Sequence, residues 1–312
     1  MSVKTLRLGT RGSLLALWQA NWVKSELERV STDLRVDLVP IKTMGDKIVD
    51  VPLAKIGGKG LFTKELDEAL VEQRIDLAVH SLKDVPFQLP SGIELVAIPQ
   101  REDPRDAFIS TGTKLMDLPA GARIGTSSLR RQVQLRHRFS SLHLSNLRGN
   151  VDTRLRKLGD GEFDGIILAV AGLKRLGHQD RITEVLDDDV MLAAVGQGAL
   201  GIVCRSSDDD TRNHLSALEH PPSRIAVTAE RALLRALGGS CQVPVAGRAR
   251  LDGDRVRLKG LIASLDGTRV LQQELDAPIA DAEQLGQRVG DKLLEAGAAA
   301  ILAEIVQHGS QE

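Results

Sequence analysis

The sequence has few residues of several types, and each shortage excludes a class of function. It contains no Tyr, two Cys, two Trp and five Phe among 312 residues. Without Tyr, no tyrosine can act as an acid or a nucleophile. Two cysteines cannot cross-link a chain of this length, so nothing indicates an oxidising compartment. So few aromatic rings also leave little for stacking on the bases of single-stranded nucleic acid.

Neither sign of charge is in excess, and long apolar runs are missing as well. The 41 Lys+Arg residues balance 42 Asp+Glu residues, which gives a formal net charge of -1. A general nucleic-acid binder needs a basic surface to displace counterions, so we expect no nucleic-acid partner. The longest weakly polar stretch, residues 190–204, is shorter than the roughly 20 residues of a membrane span. Arg11 directly precedes a short apolar run, which is untypical of a signal peptide. We therefore expect a cytoplasmic protein with no membrane partner.

Short apolar runs alternate with helical patterns through the first two thirds of the chain. This alternation predicts α/β lobes built on parallel strands with right-handed crossovers. Ligands on such sheets bind at the carboxyl ends of the strands, often at a helix N-terminus. The predicted strands are 6–9, 34–41, 75–80, 142–144 and 165–170, and the predicted helices are 13–30, 62–72, 129–138 and 151–158.

The pattern changes after about Leu218. The run His220-Pro221-Pro222-Ser223 is a break, and Ser223 is predicted to cap a helix over 224–237. Three strand-like runs and a long helix over 281–306 come next, which predicts a separate small α+β domain. The strands are predicted at 243–251, 255–263 and 269–275, with turns at Asp252-Gly253 and Asp266-Gly267.

Positive charge is concentrated where this architecture places the ends of strands. Arg130-Arg131, Arg148 with Arg154, and Lys174-Arg175 occupy three successive strand-to-helix junctions. Guanidinium groups there suit several carboxylates at once. The sequence therefore predicts a site for a small polyanion.

Other polar segments have both a functional and a structural interpretation. In Thr10-Arg11-Gly12-Ser13, Arg11 beside a helix start can bind an anion, but the run taken alone favours a capping Ser13 with a solvated Arg11. The glycine-rich run 55–62 lacks Walker A spacing, so anion binding competes with a flexible loop. Asp84 beside Lys83 is expected to stay ionised and to stabilise a cation or accept a proton, although it could simply cap a turn. His80 is predicted to be a hydrogen-bonded residue at a strand end.

The two cysteines lie in different contexts. Cys204 belongs to an apolar run and is predicted to be a buried thiol, whereas Cys241 lies in a glycine-rich loop where it can be exposed and reactive. Neither H-E-x-x-H nor C-x-x-C occurs, so we predict no metal site.

Seven runs resemble, in order, the signature runs of the porphobilinogen deaminase family, also called hydroxymethylbilane synthases. Together they span essentially the whole chain. The runs are Thr10–Ser13, Lys55–Phe62, His80–Pro86, Gly125–Arg131, Leu147–Asn150, Val195–Ala199 and Gly239–Pro244.

The resemblance implies two lobes like those of periplasmic binding proteins, with mixed sheets, and a small C-terminal α+β domain. The first lobe would comprise residues 1–99 with 200–217, and the second residues 100–199. The C-terminal domain would comprise residues 218–312 and carry the cysteine loop.

The implied reaction joins four porphobilinogen molecules head to tail into linear hydroxymethylbilane, with loss of ammonia at each condensation. The implied cofactor is a dipyrromethane primer in thioether linkage to Cys241. Asp84 would be catalytic, and the cofactor would be held by Lys83, Ser128, Arg130 and Arg131. Substrate and growing chain would be bound by Arg11, Ser13, Arg148, Arg154, Arg175, Lys55, Lys59, Phe62 and Gln197.

One alternative of a different class explains part of the pattern. A non-catalytic two-lobed protein that binds an organic polyanion would also have alternating strands and helices with arginines at the junctions. Such a protein has no need of a reactive loop cysteine or a third domain. In either case the sequence demands no more than a monomer.

Overall fold

The computed structural model describes residues 3–47, 60–238 and 243–311. Lys55, Lys59 and Cys241 therefore lie outside the described residues. The chain divides into two compact units. In the described part, the first unit comprises residues 3–47, 60–102 and 198–224, and the second comprises 103–197 and 225–311. The chain thus leaves the first unit and returns to it.

The strands and helices are numbered in chain order. The strands are β1 (Lys4–Thr10), β2 (Leu34–Pro40), β3 (Leu77–Ser81), β4 (Ile93–Ala97), β5 (Asp106–Ser110), β6 (Arg123–Gly125), β7 (His143–Ser145), β8 (Gly165–Ala169), β9 (Glu184–Val185), β10 (Leu200–Arg205), β11 (Val245–Asp252), β12 (Arg255–Ala263) and β13 (Val270–Pro278). The helices are α1 (Leu14–Val30), α2 (Met44–Lys47), α3 (Lys64–Val71), α4 (Leu129–Arg138), α5 (Val151–Gly159), α6 (Val170–Arg175), α7 (Asp209–Ser216), α8 (Pro221–Ala236), α9 (Ala282–Leu293) and α10 (Ala299–Gln311).

The first unit is built on a mixed sheet in the order β2-β1-β3-β10-β4. β1 is parallel to β2 and β3, whereas β10 runs antiparallel between β3 and β4. Helix α1 covers one face, where Val23 and Leu27 pack with Leu8. Helix α3 lies against the other face, where Leu66 packs with Ala78. Each strand thus has its apolar residues covered on both faces, as buried sheets require.

The second unit contains another mixed sheet, in the order β7-β6-β8-β5-β9. β6 is parallel to β7 and β8, and β5 is antiparallel to β8 and β9. Phe108 of β5 is fully buried on one side with Ile124 and Leu135. On the other side Ile109 packs with Leu155 of α5. The parallel trio places the carboxyl ends of β7, β6 and β8 at one edge of this sheet.

The C-terminal part of the second unit is an antiparallel sheet, β11-β12-β13, covered by α8 and α9. The predicted turn at Asp252-Gly253 is confirmed, because Asp252 pairs with Arg255 across the hairpin. This sheet also packs on the rest of the unit: Val133 of α4 contacts the cluster that contains Ala246. Ion pairs extend this contact, since Asp188 accepts from Arg248 at 2.6 Å.

Two predicted helix boundaries are wrong. Helix α8 begins at Pro221, because proline fits the first helical turn, and Ser223 lies inside that turn instead of capping it. The predicted helix over 281–306 is interrupted, because Gly297 adopts a φ of 107°, which ends one helix and starts another.

The predicted α/β class is confirmed in its elements: two α/β lobes are each built on a mixed sheet, and a small antiparallel sheet with its helices follows in the C-terminal part. The sheets of the two lobes are not purely parallel, because each includes antiparallel strands. Along the described residues, no helix combines the length and the apolar character needed to cross a membrane.

Candidate active site

The first unit places Arg11, Ser13, Lys83 and Asp84 at one edge of its sheet. β1 and β3 are parallel neighbours, with Leu8 opposite Leu77, so their carboxyl ends lie side by side. Arg11 and Ser13 follow β1, and Lys83 and Asp84 follow β3. The predicted grouping at strand ends is therefore confirmed for these residues. We call them the Asp84 cluster, together with Phe62.

Phe62 joins this cluster through Arg11. The guanidinium carbon of Arg11 lies 4.2 Å from the centroid of the Phe62 ring, and both side chains are half-buried. On the other side Gly45 approaches the ring so closely that a Cβ there would lie 2.1 Å from a ring carbon. Gly45 also donates its N–H to the Leu61 carbonyl at 3.0 Å. The ring is thus held in place beside the arginine.

Ser13 caps helix α1, as the structural interpretation predicted. Its hydroxyl accepts a hydrogen bond from the Ala16 N–H at 3.3 Å. Sequence reasoning missed Gln19, which lies further along helix α1. Gln19 is buried and donates from Nε2 to the Ser81 hydroxyl at 2.9 Å. An amide at this position has no distinctive local signal, because the partner is 62 residues away.

Lys83 and Asp84 belong to a short 3-10 turn, Leu82–Asp84, directly after β3. Leu82 is buried and donates its N–H to the Ala199 carbonyl at 3.0 Å. Both Lys83 and Asp84 are half-buried. The turn that carries the carboxylate is therefore anchored on the start of β10, at the end of the run Val195–Ala199.

His80 departs from its prediction. It is only 6% exposed, and its Nε2 atom has no hydrogen-bond partner among the residues that the structure describes. Burial, together with the positive charge of Arg11, lowers the pKa of His80 to about 4. The imidazole is therefore neutral at physiological pH.

The second unit brings its predicted junctions together at the carboxyl ends of β7, β6 and β8. Ser128 occupies the position before α4, without a capping hydrogen bond from its side chain. Its neighbour Ser127 donates to the Leu147 carbonyl at 2.9 Å and so ties the loop after β6 to the loop after β7. Asn150 precedes α5 but does not cap it with its side chain.

Arg130 and Arg131 are buried and share one carboxylate, that of Asp106 at the start of β5. Arg130 donates from Nη1 to Asp106 Oδ2 at 2.7 Å, and Arg131 donates from Nη2 to Oδ1 at 2.7 Å. The two guanidiniums hold the pKa of Asp106 far below its usual range against the effect of burial. Sequence reasoning missed Asp106, although a charged residue at the first position of an apolar strand is a usable signal.

Arg148 and Arg154 extend the positive charge. Gly149 adopts a φ of 109°, and its carbonyl accepts from Arg154 Nε at 2.7 Å. Burial and repulsion from Arg131 and Arg148 lower the pKa of Arg154 to about 10. Burial also lowers the pKa of Arg148. In the described part of the chain no carboxylate forms an ion pair with Arg154. We call Arg130, Arg131, Arg148 and Arg154 the arginine cluster.

Two further predicted site residues of the second unit, Arg175 and Gln197, do not belong to the arginine cluster. Arg175 is half-buried at the end of α6. Gln197 is buried and donates from Nε2 to Asp106 Oδ1 at 2.9 Å and to the Pro104 carbonyl at 2.7 Å. Gln197 is therefore joined to the arginine cluster through Asp106, a link that the sequence did not predict.

The prediction for Cys204 is confirmed, because it is a fully buried free thiol in β10. Burial and the nearby carboxylates of Asp208 and Glu94 raise its pKa to about 11. A thiol with so high a pKa is a poor nucleophile. As to metals, the described residues contain no group of three or more His, Cys, Asp or Glu side chains that could hold an ion.

Comparisons with known proteins show which family this chain is similar to. The profile of the family described as "Porphobilinogen deaminase, dipyromethane cofactor binding domain" matches residues 6–213, and that of "Porphobilinogen deaminase, C-terminal domain" matches residues 224–295. The chain belongs to the porphobilinogen deaminase family. It is 54% identical to a porphobilinogen deaminase of Geobacter sulfurreducens, over 98% of this chain and 96% of that protein.

Other similar proteins include a porphobilinogen deaminase of Pelobacter propionicus, 52% identical over 98% of this chain and 99% of that protein. Among solved structures, the BenM effector-binding domain with its effector benzoate has a TM-score of 0.43 and 16% identity, over 77% of this chain and 96% of that one.

Membership of the porphobilinogen deaminase family establishes the activity. The chain is a transferase, a hydroxymethylbilane synthase. It condenses four porphobilinogen molecules onto a dipyrromethane primer and releases linear hydroxymethylbilane by hydrolysis, in tetrapyrrole biosynthesis. A non-catalytic polyanion-binding protein is accordingly not favoured. Dipyrromethane is a carboxylate-bearing cofactor, and the donor set fits it: the buried guanidiniums of Arg130 and Arg131 share one carboxylate, Asp106, and Arg154 forms no ion pair with a carboxylate of the described residues.

Proposed function

We propose that the two clusters have separate tasks in hydroxymethylbilane synthesis. The Asp84 cluster carries out the chemistry at the porphobilinogen that is being joined. The arginine cluster holds the carboxylates of the cofactor and of the growing chain. The observation that carries this division is the imbalance of charge: one buried carboxylate, Asp106, accepts from two buried guanidiniums, and the half-buried Arg154 forms no ion pair with a carboxylate of the described residues.

The imbalance favours an anionic ligand for physical reasons. Buried charges are stable only when they are paired, and removal of a partner leaves a large desolvation cost. Arg130 uses only Nη1 for its bonds to Asp106 and Leu192, so Nε and Nη2 donate to none of the described residues. A ligand carboxylate is the natural acceptor for these groups, and each charge-assisted bond contributes about 1.5–3 kcal/mol.

Asp84 is the proposed catalytic residue. Loss of ammonia from porphobilinogen leaves a methylenepyrrolenine cation, which a fixed carboxylate stabilises electrostatically. The same carboxylate accepts a proton once the new carbon–carbon bond has formed. The rigid turn Leu82–Asp84, anchored at Ala199, supports this role because catalytic groups need fixed positions. Lys83, next to it, is assigned to a cofactor carboxylate.

The other assignments follow the type of each side chain. Ser128, Arg130 and Arg131 hold cofactor carboxylates. Arg11 and Ser13, with Phe62 behind Arg11, bind the incoming substrate. Gln197, which donates to Asp106, is assigned to the substrate as well. Lys55 and Lys59 are also assigned to the substrate, and Arg148, Arg154 and Arg175 to the growing chain.

Cys241 is the proposed covalent anchor. Its sulfur is proposed to form a thioether with the dipyrromethane. The free pyrrole α-carbon of that cofactor would be the position to which substrate is added. Cys204 is the other cysteine of the chain, and its burial and raised pKa support the choice of Cys241.

We also propose three domains, 1–99 with 200–217, 100–199 and 218–312. The chain crosses between its compact units at 102–103 and 197–198, close to two of the proposed boundaries. The enzyme is proposed to act as a cytoplasmic monomer without nucleic-acid or membrane partners. Light scattering during size-exclusion chromatography tests the monomer, and a mass near twice 33.7 kDa would contradict it.

The assignment of the arginine cluster is tested by intact mass spectrometry of Arg131→Gln. Freshly purified wild-type protein should carry the covalent dipyrromethane, whereas the variant should be mostly cofactor-free. The matched control is Arg136→Gln, on the same helix but exposed, which should load like wild type. Full loading of Arg131→Gln would overturn the assignment.

A further inference from the structure

Asp106 is the common partner of three functional side chains. It is fully buried at the first position of β5. Its Oδ2 accepts from Arg130, and its Oδ1 accepts from Arg131 Nε at 3.1 Å, from Arg131 Nη2 and from Gln197 Nε2. One carboxylate thus fixes both arginines assigned to the cofactor and the glutamine assigned to the substrate.

Each of these side chains has a second contact, with a backbone carbonyl. Arg130 donates to Leu192 at 2.6 Å, and Arg131 donates to Ile167 at 2.9 Å. With one contact on Asp106 and one on the backbone, each guanidinium plane has a single orientation. Those contacts leave the remaining N–H groups of Arg130 directed away from Asp106.

Asp106 also sets the charge of the group. Two guanidiniums and one carboxylate leave one net positive charge, which a single ligand carboxylate neutralises. With no carboxylate at residue 106, two buried positive charges would repel each other at close range, and their side chains would have to separate or take up other anions. Because both guanidiniums favour the charged carboxylate, it keeps its charge throughout the pH range in which the protein works.

We infer that Asp106 is a positioning residue for cofactor loading: it holds Arg130, Arg131 and Gln197 in the arrangement that accepts the dipyrromethane carboxylates. The inference rests on the proposed assignment of Arg130 and Arg131 to the cofactor. Asp106 itself touches neither cofactor nor substrate in this account, and it acts only through the side chains that it orients.

The first test is Asp106→Asn, which keeps the shape of the side chain and removes its charge. The matched control is Asp188→Asn, since Asp188 is also largely buried in the second unit and also accepts from two arginines, Arg248 and Arg250. The fraction of protein with covalent dipyrromethane is measured by intact mass, and the melting temperature is measured on the same samples. We expect Asp106→Asn to load at least fivefold less than Asp188→Asn. Equal loading of the two variants would overturn the inference.

A second comparison covers the case in which Asp106→Asn folds poorly. The double variant Asp106→Asn with Arg130→Gln removes one charge of each sign, so the buried group keeps its net charge. It is compared with Arg130→Gln alone. Because Arg131 and Gln197 lose their orientation in the double variant, it should load less than Arg130→Gln. Equal or better loading would mean that Asp106 only offsets charge, which contradicts a positioning role.

The same samples separate this inference from the proposed function. Wild-type loading of Arg130→Gln and Arg131→Gln would reject the assignment of the arginines, and the inference with it. Poor loading of those two variants with wild-type loading of Asp106→Asn would reject the inference alone.

Discussion

The guanidinium of Arg11 lies over the ring of Phe62, with 4.2 Å between the guanidinium carbon and the ring centroid. This geometry is a cation–π contact, which contributes about 0.5–2 kcal/mol. The contact holds an arginine assigned to substrate beside the strand end that carries Asp84. On the proposed assignment of Arg11, the aromatic residue supports substrate binding without an acidic or basic group of its own.

Phe62→Leu should raise the KM for porphobilinogen about fivefold, because loss of about 1 kcal/mol of orientation corresponds to that factor. Phe62→Trp keeps an aromatic face and should stay near the wild-type value. Steady-state assays of bilane formation measure both. A wild-type KM for Phe62→Leu would show that the ring does not position Arg11 for substrate.

Asp84→Ala should reduce turnover by at least about 10²–10³-fold, the usual cost of removing a group that stabilises charge in a transition state. The covalent cofactor should remain attached, since Asp84 is not assigned to its carboxylates. The test combines a bilane assay with intact mass on one sample. Near-wild-type turnover would reject Asp84 as the catalytic carboxylate.

Arg154→Leu should stall elongation. The lost charge-assisted bond is worth about 1.5–3 kcal/mol, so the step that needs it should slow by about tenfold or more. Mass spectrometry after brief exposure to porphobilinogen should show accumulation of early enzyme-bound intermediates. Arg156→Leu is the control on the same helix, because Arg156 is exposed and its one ion partner among the described residues is Asp160 at the surface. Identical intermediate patterns for the two variants would count against Arg154.

Asp67 gives the protein a predictable dependence on pH. It is 7% exposed in α3, and burial raises its pKa to about 6. The folded state therefore holds this proton more tightly than the unfolded state, whose carboxyl titrates near 4. The free energy of unfolding should consequently fall by roughly 2 kcal/mol as pH rises from about 4 to above 6. Asp67→Asn should remove this part of the decline. Urea titrations at pH 4 and pH 8 measure it, and an equal decline in both proteins would refute it.

The helices, strands and turns were predicted correctly where residues close together in the sequence specify them. Helix α1 and strand β1 follow from apolar periodicity and from a serine at the helix start, and the hairpin turn at Asp252-Gly253 follows from turn chemistry. The strand ends that carry Arg11 and Asp84 were placed correctly for the same reason.

The failures are non-local or depend on backbone conformation. Strand β10 pairs with β3 more than 100 residues earlier in the chain: the family resemblance placed residues 200–217 in the first lobe, but no local pattern specifies that antiparallel insertion. Asp106 meets Arg130 and Gln197 from distant segments, so its role depends on tertiary structure. Gly297 lies in an otherwise helical sequence, where a single glycine is tolerated, and only its positive φ ends the helix.

The covalent anchor is the central claim of this account, and the mass of the intact protein tests it most directly. Cys204→Ser should carry the dipyrromethane exactly as wild type does, because Cys204 is buried and its pKa is raised to about 11. Cys241→Ser should have the mass of the bare polypeptide and form no bilane. A bare mass for active wild-type protein, or a dipyrromethane retained by Cys241→Ser, would contradict the account.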